Sequence, residues 1–292
     1  MHADEVDIDA ELVQRLVAGQ FREWAGLTVT EIPSSGTVNA MYRLGDSLTV
    51  RLPRVPGGVD DIGKEATWLP RLAPLLPVEI PVPVALGEPA DEYPWRWSVN
   101  RWIDGDLPVA GTTSTTLGTE LGELVREFRK ITLPDAPAAY RGGPLSEQDA
   151  GTRSALRQLV GWIDVEAAMA GWDAGLAAAP ATGSVWLHAD LMPSNLLVQG
   201  DRLLAVLDFA TAGTGDPACD LIPAWNLLTG PARTAFRAAV DVDEDTWIRG
   251  RARALSMALI QLPYYRETNP GIAANAQYVI DQVVADVTGA PA

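Results

Sequence analysis

The stretch Val185-Trp186-Leu187-His188-Ala189-Asp190-Leu191-Met192-Pro193-Ser194-Asn195-Leu196-Leu197-Val198 decides the fold, together with Asp208-Phe209-Ala210 a short way downstream. Three apolar runs, Ser184 to Leu187, Asn195 to Val198 and Leu203 to Leu207, have the length of strands, and Gln199-Gly200-Asp201 turns the last two into a hairpin. Polar residues gather at the ends of that hairpin. Two strands and a turn bring their ends together, so Asp190, Asn195 and Asp208 are expected to converge although Asp208 lies eighteen positions beyond Asp190. Two carboxylates and an amide oxygen are hard ligands that suit Mg²⁺ beside a phosphorylated co-substrate.

The order H-x-D-x-x-x-x-N is that of a kinase catalytic loop, in which Asp takes the proton of the substrate hydroxyl, Asn holds a metal and a later D-F-G Asp holds another. In that reading Asp190 is the base, Asn195 and Asp208 are metal ligands, and His188 belongs to the loop. The alternative makes Asp190 and Asn195 turn caps and His188 a buried core residue. With only two histidines in 292 residues, an Asp at +2 and an Asn at +7 of one of them is a rare coincidence, and the D-F after an apolar hairpin makes it rarer.

Outward from this hairpin the chain changes character. Leu12, Val13, Leu16 and Val17 behind Asp9 predict a helix over 9–20. Leu27 to Ile32, Met41 to Leu44 and Leu48 to Leu52 predict an antiparallel meander broken at Pro33-Ser34-Ser35-Gly36 and Gly45-Asp46; a helix over 60–73 and a strand from Trp97 to Ile103 follow. Turn formers cluster at Asp104-Gly105-Asp106-Leu107-Pro108, which divides the chain into 1–103 and 104–292. Beyond it, helices are expected from Leu117 to Phe128 and over 150–160, 164–178, 231–240, 244–260 and 271–288. The fold class is α+β, an N-terminal antiparallel lobe followed by a larger, mainly helical lobe.

Charge and composition narrow the chemistry. The formal net charge of -16, from 22 basic and 38 acidic residues, repels nucleic acid and anionic lipid. The single cysteine, Cys219, forms no internal disulfide, and His2 and His188 cannot build a His-rich metal site. The acidic opening lacks the basic and apolar regions of a secretory signal, and no later run reaches about 18 apolar residues. A cytoplasmic protein without nucleic-acid or membrane partners, monomeric or dimeric, is expected.

His188 to Asn195, then Leu207 to Thr211, then Gly215-Asp216-Pro217-Ala218-Cys219-Asp220, resembles the signature of the aminoglycoside phosphotransferase family. The resemblance implies a two-lobe, protein-kinase-like fold and transfer of the γ-phosphoryl group of ATP, or of GTP, with Mg²⁺, to a hydroxyl of a small molecule. An aminoglycoside-type antibiotic is the first acceptor it suggests, and a macrolide or another hydroxylated metabolite the second. By the same resemblance Asp190 is the catalytic base, His188 orients the loop, Asn195 and Asp208 hold metal, and Asp216 and Asp220 are structural. Many members carry a second histidine where Met192 stands. Ser34 to Asn39 occupies the place of the loop over the phosphates, with Ser35, Gly36 and Thr37 its contacts, although with one glycine the stretch alone reads as readily as a plain turn. The strand position that carries the phosphate-binding lysine holds Arg51, paired with Glu65 of the next helix, and only Lys64 and Lys130 exist elsewhere. Arginine is permanently charged and binds phosphate bidentately, so the exchange is chemically sound. The adenine is expected against the strand around Asn100, Arg101 and Trp102.

For the acceptor, Asp149, Asp164, Glu166, Asp173 and Glu267 suit a polyamine sugar, whereas Trp162, Trp172, Tyr264 and Tyr265 suit an apolar natural product. Three competing readings are weaker. Gly213-Thr214-Gly215-Asp216-Pro217-Ala218 matches a dinucleotide fingerprint, but successive helices follow it where a βαβ unit is required. A protein kinase is disfavoured because only 82 residues follow Ala210 and no A-P-E segment occurs. A nucleotide-binding pseudokinase module is suggested by Arg51 and the glycine-poor loop, and opposed by the intact Asp190, Asn195 and Asp208.

Overall fold

Asp9 starts the first helix, α1 (Ala10–Gln20), by accepting from Leu12 N at 2.7 Å. The structure, a computed structural model, describes residues 6–32 and 38–289; Ser35, Gly36 and Thr37 lie outside them. Its contacts divide the chain into one unit of Met1–Asp104 with Ala205–Ala210 and another of Gly105–Leu204 with Thr211–Ala292. In the first unit, strands β1 (Val29–Glu31), β2 (Asn39–Leu44), β3 (Leu48–Pro53), β4 (Pro83–Gly87) and β5 (Trp97–Arg101) form one sheet in the order β1-β2-β3-β5-β4. Every pairing is antiparallel. Along β2 the period of two is explicit: Ala40, Tyr42 and Leu44 are buried, and the residues between them only partly so. Gly45, at φ +57°, makes the left-handed turn into β3.

Leu12, Val13, Leu16 and Val17 of α1 pack with Tyr42, Val50, Tyr93, Trp97 and Val99 into the core of this unit. Burying each large side chain stabilises by about 1.5–3 kcal/mol. Helix α2 (Val59–Leu72) carries Asp60 and Asp61 in its first turn, where the helix dipole favours negative charge. It buries Ile62, Glu65, Leu69 and Leu72; the one charged residue among these four belongs to the site.

The second unit is built on helices α3 (Thr115–Lys130), α4 (Asp149–Gln158), α5 (Val165–Ala177), α6 (Pro223–Asn226), α7 (Gly230–Val240), α8 (Glu244–Tyr265) and α9 (Pro270–Thr288). Helices α3 and α7 approach closely because their contact positions are small: a Cβ at Gly118 would lie 2.2 Å from Ala232 O. Strand β6 (Val185–Leu187) pairs antiparallel with β9 (Gly213–Gly215). Strand β7 (Leu196–Gln199) pairs with β8 (Arg202–Val206), and the chain passes from the second unit to the first within β8. The result is an α+β chain with an N-terminal antiparallel sheet and a helical C-terminal part. Among the described residues, no helix is long and apolar enough to cross a membrane.

Candidate active site

The candidate catalytic loop leaves β6 at His188 and is strained at the residue before Asp190. Ala189 has φ +65°, a left-handed conformation that costs a non-glycine residue about 1–3 kcal/mol and persists only when its surroundings impose it. Asp220 imposes it. Its fully buried carboxylate accepts from His188 N at 2.8 Å and from Ala189 N at 2.7 Å. Burial pushes the Asp220 carboxyl up from its ordinary range, against the pull of His188 and these two N–H groups. His188 is itself fully buried; its Nδ1 accepts from Asp190 N at 3.2 Å and its carbonyl accepts from Thr211 Oγ1 at 2.9 Å. The imidazole thus meets Asp190 at its backbone N–H.

Asp190 is brought together with Asn195, whose Nδ2 donates to Asp190 O at 2.9 Å and to Asp190 Oδ2 at 3.0 Å. An amide whose nitrogen donates in this way keeps its oxygen as an acceptor. The other carboxylate oxygen, Oδ1, accepts from Arg141 Nη1. Nothing in the sequence pointed to Arg141, which lies 49 positions upstream in a loop.

The Gly-Asp-Pro-x-x-Asp tail is scaffold. Asp216 caps its own turn by accepting from Ala218 N at 2.9 Å, and takes the buried Arg249 guanidinium at 3.0 and 3.1 Å. Replacing Asp220 by Ala would leave two buried N–H groups without their acceptor. The expected loss of stability is about 3 kcal/mol, read from urea unfolding. A loss below about 1 kcal/mol, less than one such orphaned donor costs, would show that the left-handed turn holds without Asp220.

In the first unit the ion pair expected between Arg51 and Glu65 is present, Nη1 to Oε2 at 2.6 Å, with side-chain exposures of only 8% and 2%. With its amide oxygen facing the guanidinium, Asn39 accepts from Nη2 at 3.0 Å and Nε at 3.1 Å. Glu65 Oε1 accepts from Phe209 N at 3.0 Å, and Arg51 Nη2 lies 3.6 Å from Asp208 Oδ1. Burial pulls the Arg51 pKa down, but the Glu65 and Asp208 carboxylates outweigh it and the net shift is upward. Asp208, at φ +58° and half exposed, presents its carboxylate from this anchored turn.

Lys64 joins the same cluster. Its Nζ donates to Ala210 O at 2.7 Å, and burial lowers its pKa against the opposing pull of Asp61 and Glu65. The sequence signal was its position directly before Glu65.

Asn100 pairs with Thr49 on one side and Pro83 on the other, and its buried Oδ1 accepts no hydrogen bond. The Trp102 N–H is already committed to Ser47 O at 2.8 Å, while the Arg43 guanidinium stacks 3.8 Å above its ring.

The carboxylates weighed for the acceptor are largely engaged within the second unit. Asp149 accepts from Arg153 Nε and Trp172 Nε1, both at 2.8 Å; Asp173 accepts from Arg153 Nη2 at 2.6 Å; Asp164 caps α5. Glu267 lies 3.7 Å from Arg266, whose guanidinium sits 4.8 Å from the Trp162 ring. Behind the loop, Met192, Asn226, Met257, Gln261 and Asn275 line a small cavity of about 10 Å³. Asn226 Oδ1 and Asn275 Oδ1 are buried and accept no hydrogen bond. The space fits one water-sized donor.

Comparison with known proteins gives the same fold. The GDP and kanamycin complex of APH(2")-IIia is similar in fold, with a TM-score of 0.73 at 17% identity, covering 94% of this chain and 98% of that one. Macrolide 2'-phosphotransferase MphH from Brachybacterium faecium superposes with a TM-score of 0.61 at 20% identity, covering 94% and 97%. The streptomycin-ATP-APH(2")-IIa ternary complex gives a TM-score of 0.61 at 16% identity, covering 94% and 99%. No curated protein sequence matches the chain. The sequence model of the phosphotransferase enzyme family matches residues 28–255. With a loop that aims one carboxylate and one amide from a strained, buried turn, the chain thus belongs to the phosphotransferase enzyme family and is a small-molecule kinase acting on hydroxyl groups.

Proposed function

We propose that this enzyme transfers the γ-phosphoryl group of ATP, or of GTP, to a hydroxyl of a hydroxylated small molecule. The observation that carries the reading is the way Asp190 is held: Asp220 pins the turn before it, His188 takes its N–H, and Asn195 braces its Oδ2. The acceptor oxygen forms its bond to the γ-phosphorus as the bond to the β-phosphate oxygen breaks. The hydroxyl proton passes to Asp190, and the nucleoside diphosphate leaves. Asn195 and Asp208 are the residues that would hold Mg²⁺, with the phosphates completing its shell, since Mg²⁺ takes few protein ligands in such sites. Bound there, the ion would neutralise charge on the phosphate oxygens. Residues 1–103 serve as the nucleotide-binding lobe in this reading, and 104–292 as the acceptor-binding lobe.

Two acceptor classes are supported by the neighbours, aminoglycosides by the kanamycin and streptomycin complexes and macrolides by MphH. The internal engagement of Asp149, Asp164 and Asp173 favours an acceptor that does not depend on a set of ammonium groups. The test is a coupled ADP-release screen across aminoglycosides, macrolides, other hydroxylated antibiotics, amino alcohols and hydroxy acids. An acceptor-dependent rate with one class supports the reading; nucleotide binding without release under any acceptor points to a pseudokinase. Asp208→Ala should weaken MgATP binding measured by calorimetry, and unaltered affinity would remove Asp208 from the metal site.

A further inference from the structure

Both oxygens of the Asp190 carboxylate are engaged before an acceptor arrives, Oδ2 by Asn195 and Oδ1 by the Arg141 guanidinium. The side chains of Arg141 and Asp190 are 31% and 21% exposed, so a solute reaches both. A cation at this point is chemically selective. A neutral hydroxyl competes poorly with a charge-assisted hydrogen bond, and an ammonium group is repelled by the guanidinium.

The loop that carries Arg141 is built to hold it in place. Ala139 N donates to Thr214 O at 3.0 Å, Thr214 N to Pro137 O at 2.8 Å, and Asp216 N to Gly142 O at 2.9 Å. Gly142 and Gly215 pass so closely that a Cβ on Gly215 would lie 2.4 Å from Gly142 Cα. The Arg141 carbonyl accepts from Arg253 Nη1 at 2.7 Å and from the Cys219 thiol at 3.2 Å, while Arg253 Nη2 donates to Gly143 O at 2.7 Å. Arg253 is 1% exposed. Placing a buried guanidinium on the carbonyls that flank Gly142 carries a large desolvation cost, and its effect is to fix the residue that faces Asp190.

Arg141 has five N–H donors in a planar fork, and a fork of this kind binds a carboxylate or phosphate bidentately. We propose that Arg141 is a specificity-determining residue of the acceptor site: it pairs with Asp190 until an acceptor carrying an anionic group near its reactive hydroxyl takes the guanidinium and leaves Asp190 Oδ1 to the hydroxyl proton. The inference rests on the phosphotransferase reading and names its substrate class as hydroxylated carboxylates or phosphates. The overall charge of -16 does not oppose it, because exposed charges are screened over about 8 Å at physiological salt, whereas Arg141 would touch the acceptor.

Three alcohols that share one carbon skeleton and differ in charge test this: glycerate, glycerol and 3-aminopropane-1,2-diol. Each is measured for ADP release with MgATP, and for direct binding by calorimetry, with the wild type, Arg141→Gln and Arg141→Lys. The wild type should prefer glycerate over the aminodiol by about tenfold or more, the worth of one charge-assisted hydrogen bond. The preference should reside in KM and in binding, with the KM for MgATP unchanged. Arg141→Gln should erase it and Arg141→Lys keep part of it; Arg141→Lys also serves if the glutamine variant fails to fold. The same order of acceptors in wild type and variants, or a wild-type preference for the aminodiol, overturns the assignment. Arg141-dependent glycerate binding without ADP release would sink the phosphotransferase reading and leave the assignment standing. ADP release without an Arg141-dependent order of charge does the reverse, and neither binding nor release with any of the three overturns both.

Discussion

Asp190→Asn is expected to lower acceptor-dependent phosphoryl transfer by about 10²- to 10⁴-fold, the usual worth of a positioned general base, with nucleotide affinity nearly unchanged. The substitution is close to isosteric, so the loop keeps its course: Asp220 still holds the His188 and Ala189 N–H groups, and the residue 190 backbone still bonds His188 and Asn195. What changes is the side chain. Both Asp190 oxygens accept from donors, one from Arg141 and one from Asn195, and an amide can satisfy only one of them. The other donor then faces an NH₂ group, and no carboxylate remains to take the hydroxyl proton. Single-turnover transfer, with folding confirmed by thermal melting, separates the two effects. Near-normal turnover in a folded variant removes Asp190 from the role of base.

The convergence of His188, Asp190 and Asn195 was legible because these residues are close in sequence and their types are chemically specific. His188, Asp190 and Asn195 span eight positions, and the backbone alone brings Asn195 Nδ2 to Asp190 Oδ2. The Arg51 and Glu65 pair was legible for a similar reason, since a strand and the helix after it fix which faces meet. Arg141 was hidden. Tyr140-Arg141-Gly142-Gly143 reads as a turn, and its place depends on Arg253, 112 positions away, and on the approach of Gly142 to Gly215. No local pattern encodes such a contact. The acidic residues of the helical part show the converse: their composition suggested a site for cations, but Asp149 and Asp173 share Arg153 and Asp164 caps a helix.

Among the elements of the fold, the missed ones break local rules. Strand β4 begins at Pro83 and lies at the sheet's edge, where proline is tolerated because one side of the strand is unpaired. Strand β9 is Gly213-Thr214-Gly215, a composition that signals a turn. It is a strand because β6 pairs with it, and because glycine at 215 leaves room for Gly142. Helix α8 was expected to end near 260 but continues to Tyr265 with Pro263 inside its last turn. Proline there removes a single hydrogen bond, and the preceding buried turns of Leu255, Leu259 and Leu262 hold the helix on course.

Removing one partner of the Arg51 and Glu65 pair is expected to cost about 3–5 kcal/mol of stability, because the other is left as a buried charge. Arg51→Ala also releases Asn39 and the Asp208 turn, which Glu65 anchors through Phe209 N. MgATP binding or transfer should weaken by about tenfold or more if the guanidinium contacts the phosphates, the worth of one charge-assisted contact. Arg51→Lys should keep part of the activity, since its single ammonium retains the charge but cannot hold Glu65 and both Asn39 bonds. Glu65→Ala should resemble Arg51→Ala, and the double variant should fall short of the sum, with a coupling of about 0.5–3 kcal/mol. Fully additive losses in urea unfolding would mean that the two do not act as a pair. Arg51→Met with Glu65→Leu separates structure from function, because a buried pair replaced by well-packed apolar side chains is often neutral for stability. If that variant folds normally and loses MgATP binding, the guanidinium is needed for the nucleotide. If it folds and binds MgATP normally, another cation serves. Arg43 is stacked on Trp102 and Arg54 lies 4.0 Å from Glu31, so the next residue to replace is Lys64, whose Nζ already reaches the 208–210 turn at Ala210 O.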